Sequence, residues 1–213
     1  MLPEKSLMVL DHFQAAYYTR LKMEGKSSEV PSLLKHFEQW LYGRFSMRPG
    51  PHGVFQIVRS YSSGEEDALD RFFKLFSEFE KSGISREPAY EKSFQEIPKL
   101  DLGPLIRQIR KNPVLYIGYA HFAGLNAHLM GHQQAGKDMG LPSTADEKLF
   151  DQFKKWVEET KSQGATSRPW FKIVSFYSLG DCGHGEGGAY TVFLRWLDEF
   201  AGEVGKTDVF RAA

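Results

Sequence analysis

The chain has 213 residues, 41% of them hydrophobic and 14% aromatic, which is material for a substantial core and argues against disorder. Its 27 basic and 27 acidic residues leave no formal net charge, so no basic excess holds it to nucleic acid or to an anionic membrane. Cys182 is the single cysteine, which excludes an intramolecular disulfide and gives no sign of an oxidising compartment.

The opening residues, Met1 to Phe13, carry Glu4, Lys5 and Asp11 and lack the apolar run of a signal peptide. Nowhere do 18 apolar residues follow one another. A soluble, cytoplasmic chain is expected. A first helix is expected near residues 4–23. Leu33, Leu34, Phe37, Trp40 and Leu41 then fall at i, i+1, i+4, i+7 and i+8, one face of a second helix. Val54, Ile57, Val58 and Tyr61 are β-branched enough to suggest a strand, but their i, i+3, i+4, i+7 spacing favours a short helix. Ser63-Gly-Glu-Glu66 fits a capping box ahead of Leu69, Phe72, Phe73, Phe76 and Phe79. Residues 84–103, with Pro88 and Pro98 among mixed charges, read as an irregular connector.

The second half takes the same steps. A leading helix is expected near residues 121–136, and Thr144-Ala-Asp-Glu147 is a further candidate cap. Leu149, Phe150, Phe153, Trp156 and Val157 then reproduce the face of the second helix. Phe37-x-x-Trp40-Leu41 and Phe55-x-Ile57-Val58-x-x-Tyr61-Ser62 match Phe153-x-x-Trp156-Val157 and Phe171-x-Ile173-Val174-x-x-Tyr177-Ser178, every pair 116 positions apart. Ala68, Phe72, Glu78 and Phe79 match Ala189, Phe193, Glu199 and Phe200 at 121, so the second copy carries five extra residues between Ser178 and Ala189. Leu10 with Leu125 and Gly25 with Gly140 align the leading helices at 115. These matches predict an all-α chain of two diverged copies of a four-helix unit. The units are residues 1–83 and 104–213, joined by the connector, and they are expected to bury their aromatic faces against each other as a pseudo-symmetric helical domain.

His128 and His132 have the i, i+4 spacing that suits zinc, but His121 lies about 10 Å from His128 along a helix axis and cannot share an ion with it. The equivalent positions in the first unit are Phe13 and Tyr17, which points to packing instead. The stretch Gly180-Asp-Cys-Gly-His-Gly-Glu-Gly-Gly188 matches no phosphate-binding or nucleophile pattern and reads as a polar surface loop. Because only one copy carries the insertion, Asp181, Cys182, His184 and Glu186 are candidate partner contacts. Glu65 and Glu66 join them as an acidic helix start, although acids in a first helical turn already complement the helix dipole. Glu158 and Glu159 read as a solvated face. Trp40, Trp156, Phe55 and Phe171 recur in both copies and are expected in the core, whereas Trp170 and Trp196 fit either core or interface.

Arg110-Lys-Asn-Pro113-Val-Leu-Tyr116-Ile117-Gly118, followed by Leu125, Gly131-His132 and Ala135, opens the second unit; Phe153-x-x-Trp156-Val157, Trp170-x-x-Ile173-Val174 and Ala189-x-x-x-Phe193 continue it. This succession resembles small bacterial proteins encoded beside polymorphic or contact-dependent toxins. Asn112 interrupts their Arg-Pro step, Leu115 stands where Met is usual, His132 replaces a Tyr, and the first unit lacks the Pro-Tyr-Gly opening. The resemblance implies an immunity-type protein that neutralises a cognate toxin by binding and occluding it. Such a protein is not an enzyme and needs no cofactor or metal. Two alternatives stand beside it: a metal-dependent helical-bundle hydrolase using His128 and His132, and a helical adaptor for a peptide partner.

Overall fold

A computed structural model describes residues 5–26, 30–47, 53–83, 100–117, 121–162, 168–181 and 186–211. The regular structure of these residues is helical throughout, so the chain is all-α. The order is α1 (Leu7–Met23), α2 (Val30–Arg44), α3 (Val54–Ser60), α4 (Glu65–Lys81), α5 (Leu102–Lys111), α6 (Pro113–Ile117), α7 (Phe122–Asp138), α8 (Ala145–Thr160), α9 (Trp170–Asp181), α10 (Glu186–Glu203) and α11 (Thr207–Phe210). Among the described residues no helix is long and apolar enough to cross a membrane.

Local chemistry sets the ends. Ser6 caps α1 by accepting from the Val9 amide at 3.3 Å, and His121 caps α7 in the same way, its Nδ1 accepting from Gly124 at 3.0 Å. Gly25 and Gly140 close these helices with φ of 66° and 69°, a region costly for a Cβ. Beyond each, an amide reaches back to a carbonyl five residues earlier, Lys26 to Leu21 at 2.9 Å and Leu141 to Gly136 at 3.0 Å. Thr144 and Glu147 form the expected capping box. The box expected at Ser63 and Glu66 does not form. Gly64 takes the cap position, and the amide and hydroxyl of Ser63 both donate to Asp67 instead, at 2.8 and 3.1 Å.

Helices recur at the spacings of the sequence matches: α7 follows α1 by 115 positions at both ends, α9 begins 116 after α3, and α10 begins 121 after α4. Helix α9 runs five residues further than α3 by that alignment, so part of the stretch expected as a surface loop is the end of a helix.

The aromatic stripes pack differently from the expectation of face-to-face units. They form two separate cores. Phe37, fully buried, meets Phe72 edge-on at 5.6 Å and Trp40 at 5.9 Å; Phe153, also fully buried, meets Phe193 edge-on at 5.7 Å and Trp156 at 6.2 Å. Each set is enclosed by the helices of its own half. The reason is that α2, α3 and α4, like α8, α9 and α10, already surround their own apolar stripe. Both Trp170 and Trp196 are buried in the second core, while Trp40, Trp156, Phe55 and Phe171 pack partly buried against their cores.

The halves meet instead through α1 and α7, which run side by side in the same direction. The His12 ring lies tilted against that of His121 (5.2 Å), Gly131 faces the Phe13 carbonyl, Arg20 reaches His132, and the Tyr17 hydroxyl donates to Asp138 at 2.8 Å. A Cβ at Gly131 would overlap the carbonyl oxygen of Phe13, so the close approach requires glycine. Consequently α7 is enclosed almost all round, with Leu125 to Leu129 buried in succession. Helices α5 and α11 add to the second half: Arg110 holds Asp198 with two bonds, 2.8 and 2.7 Å, and donates to the Phe210 carbonyl, while Arg107 donates to the carbonyls of Asp208 and Val209. Arg110, first residue of the motif behind the family resemblance, is thus an internal clamp.

Candidate binding site

The α1–α7 seam leaves a cavity of about 240 Å³ beside it, which α6 and the approach to α5 complete. Ala16, Thr19 and Met23 line it from α1, His128 and His132 from α7, and Leu105, Leu115 and Tyr116 from the elements between. Ala15 and Leu115 stand at its mouth, Leu115 with 78% of its surface exposed. Apolar walls with a few polar groups are the usual make-up of a binding cavity.

Its two histidines have distinct partners. His132 is 2% exposed, and its Nε2 lies 3.0 Å from Nη1 of the buried Arg20. The same Nε2 lies 3.2 Å from the Leu100 carbonyl, so one neutral tautomer accepts from Arg20 and the other donates to Leu100, while Nδ1 has no hydrogen-bond partner. Arg20 also donates to the Leu100 carbonyl at 3.4 Å and pairs with Glu24 at 3.5 Å. His128 is 6% exposed, its Nδ1 is unpartnered, and its ring stands edge-on to Tyr116 at 5.9 Å. Burial pushes the His128 pKa down to about 3, with His12 and His132 adding to it. Burial and then the Arg20 charge bring His132 to about 4. Both rings are neutral near pH 7.

The pair suits a metal poorly. Nε2 of His132 is already occupied by a cationic donor, and a cation there would face Arg20. Among the described residues, no three His, Cys, Asp or Glu side chains converge in metal-binding geometry. His121 is not on the helix with them. It precedes α7, with Nε2 3.0 Å from the Ile117 carbonyl.

The other candidate residues lie elsewhere. Glu65 is committed internally: it accepts from the Ser6 hydroxyl at 2.9 Å and the Met8 amide at 2.8 Å, and pairs with Arg59 at 3.1 Å. Glu66 is exposed, with Lys5 3.6 Å away. Asp181 ends α9 and Glu186 begins α10, whereas Cys182 and His184 lie outside the described residues. Glu158 and Glu159 are exposed, and Glu158 also accepts from the amide of Trp170, the first residue of α9.

Sequence reasoning missed the contribution of α1. On its exposed side Ala15 and Thr19 line the cavity just described and also a second one of about 410 Å³, formed with Tyr18, Lys22, Lys35 and Glu38 among others. The signal was present as small residues, Ala15, Ala16 and Thr19, in an otherwise bulky helix, but nothing in their spacing says which helix lies opposite. No family model, no characterised protein and no solved structure matches the chain.

Proposed function

We propose that this chain is a binding protein of the toxin-immunity kind, which occludes a protein partner laid across the exposed side of α1. The reading is carried by one observation: Ala15 and Thr19 form a low ridge shared by two cavities, of about 240 and 410 Å³. Protruding side chains on either side of a partner's backbone fit two pits separated by small residues. A partner covering about 800 Å² on this side would make an interface of ordinary size. Leu115 supplies exposed apolar surface at the rim. The toxin as partner stands on the resemblance of residues 110–200 to immunity-type proteins. We also read the two halves as copies of one unit, supported by the matched helix spacings and by the like packing of Phe37 and Phe153.

Calorimetry of the purified chain with the toxin domain encoded by the neighbouring gene tests this. A saturable complex is expected, weakened at least a hundredfold in the Ala15→Arg/Thr19→Arg double variant. Absence of any complex would refute the function. A complex indifferent to the double variant would refute the surface.

A further inference from the structure

The larger cavity, of about 410 Å³, is lined from α1, α2 and the start of α3. With the halves read as copies of one unit, three apolar residues of its lining have larger counterparts in the second half. Val54 answers to Trp170 and Leu34 to Phe150 at 116 positions, and Ala15 answers to Met130 at 115. Trp170 is buried, its ring edge-on to those of Phe150 at 5.8 Å and Phe171 at 6.4 Å. Leu34 and Phe55, the counterparts of these two neighbours, stand in the cavity wall with Val54. Exchanges from large to small leave space wherever the surroundings relax only in part. The first half therefore has room beside Val54 where its copy carries an indole ring.

We propose that this cavity is a site for an indole ring, which a tryptophan side chain of the protein partner supplies. The inference rests on the binding reading above and on the duplication, and it names the group that fills the larger pit. The polar lining suits that ring. Lys22 and Lys35 bring positive charge, which is drawn to an aromatic face and most strongly to that of tryptophan. The second half holds such a pair already, with Nζ of Lys161 4.6 Å from the centre of the Trp156 ring. Glu38 lines the cavity as well; it accepts from the Tyr42 hydroxyl at 3.0 Å, and a carboxylate has capacity for the indole N–H as a further donor. A lysine or arginine of the partner would meet two cations for one carboxylate. Phenylalanine fills less of the space and offers Glu38 no donor, and a carboxylate would leave the apolar wall of Leu34, Val54 and Phe55 uncovered. Tryptophan is also among the residues that most often anchor interfaces.

The test titrates the full chain with indole, benzene and acetate, following backbone amide NMR shifts. Saturable shifts at Lys35, Val54 and Phe55 are expected with indole, about five- to tenfold tighter than with benzene because the second ring buries more apolar area. Acetate should give none. Val54→Trp places the second half's own residue in the first; it should fold and abolish indole binding, because its ring takes the space. Leu34→Phe, a smaller filling, should weaken indole without abolishing it. Acetate shifts without indole shifts, equal affinities for indole and benzene, indole binding that survives Val54→Trp, or a Val54→Trp chain that does not fold would each overturn the pocket. In calorimetry with the toxin domain, Val54→Trp should weaken the complex at least about tenfold, the loss of one anchor. An undiminished complex would overturn the tryptophan anchor and leave the binding function standing. Absence of any complex would refute the binding function and the anchor with it, whereas the indole titration needs no partner and judges the pocket by itself.

Discussion

At Gly131 a missing methyl group decides how closely α1 and α7 approach. In most helix interiors Gly→Ala is stabilising by about 0.5–1 kcal/mol, because alanine restricts the unfolded chain and glycine does not. Gly136 of the same helix should behave so, since a Cβ there meets nothing nearer than a Glu147 oxygen at 3.9 Å. At Gly131 the new atom would strike the Phe13 carbonyl, which is backbone and cannot swing aside. Gly131→Ala should therefore destabilise by about 1–3 kcal/mol while Gly136→Ala raises the melting temperature; chemical denaturation of the pair checks the opposite signs. The buried histidines predict a pH dependence. His12 and His132 titrate near 4 and His128 near 3 in the folded chain, all lowered first by burial, against about 6.5 when unfolded. His12 also faces His121 and Arg59, with Glu65 opposing them, and His132 faces Arg20, with Glu24 and Asp101 opposing it. Between those limits the unfolded chain binds more protons, so stability is full above about pH 6.5 and is lost as the pH falls toward 4. Denaturant midpoints measured from pH 7 to pH 4 should fall steadily, and the fall should be shallower in His128→Leu.

Among the helices, the start of α4 holds the first half's elements in place. Glu65 accepts from the hydroxyl and amide at the start of α1 and pairs with Arg59 at the end of α3, so one carboxylate ties three helices. Glu65→Ala should cost about 1–2 kcal/mol and speed hydrogen exchange at Met8 and Val9, while Glu66→Ala should stay within about 0.5 kcal/mol. Glu186 holds the equivalent place at the start of α10. The helices themselves were legible because spacing reports burial: Leu41, Val54, Ile57 and Val58 are all buried as their periodicity implies. Ends were less so. Thr144 and Glu147 offered one reading of a cap, but Ser63 is followed by three successive acids, and the helix register that chooses Asp67 over Glu66 follows from Gly64 taking the cap. The candidate site was barely visible in the sequence. His128 and His132 drew notice as a pair, yet their partners Arg20, Leu100 and Tyr116 come from three separate segments whose meeting depends on tertiary packing.

Across the whole molecule, the number of cores separates two architectures that the sequence alone permits. Matched aromatic stripes can pack against each other across the halves, giving one shared core, or close within each half, giving two. Phe37 and Phe153 occupy equivalent places, and each is surrounded by rings of its own half. In a shared core they would couple energetically, by about 0.5–3 kcal/mol for residues in contact or sharing partners. In two cores the costs add. Phe37→Leu and Phe153→Leu should each destabilise by about 1–2 kcal/mol, and the double variant should lose the sum to within about 0.5 kcal/mol. Additivity does not imply that the halves melt separately. The glycine-mediated contact of α1 with α7 and the bond from Arg20 to His132 exist only while both halves are folded, so loss of either half exposes the buried side of the other's leading helix. A single calorimetric transition is therefore expected for each variant, with equal van't Hoff and calorimetric enthalpies. Coupling well above the additive limit would return the aromatic faces to a common core, and two resolved transitions would remove α1 and α7 as the joint that holds the binding ridge in place.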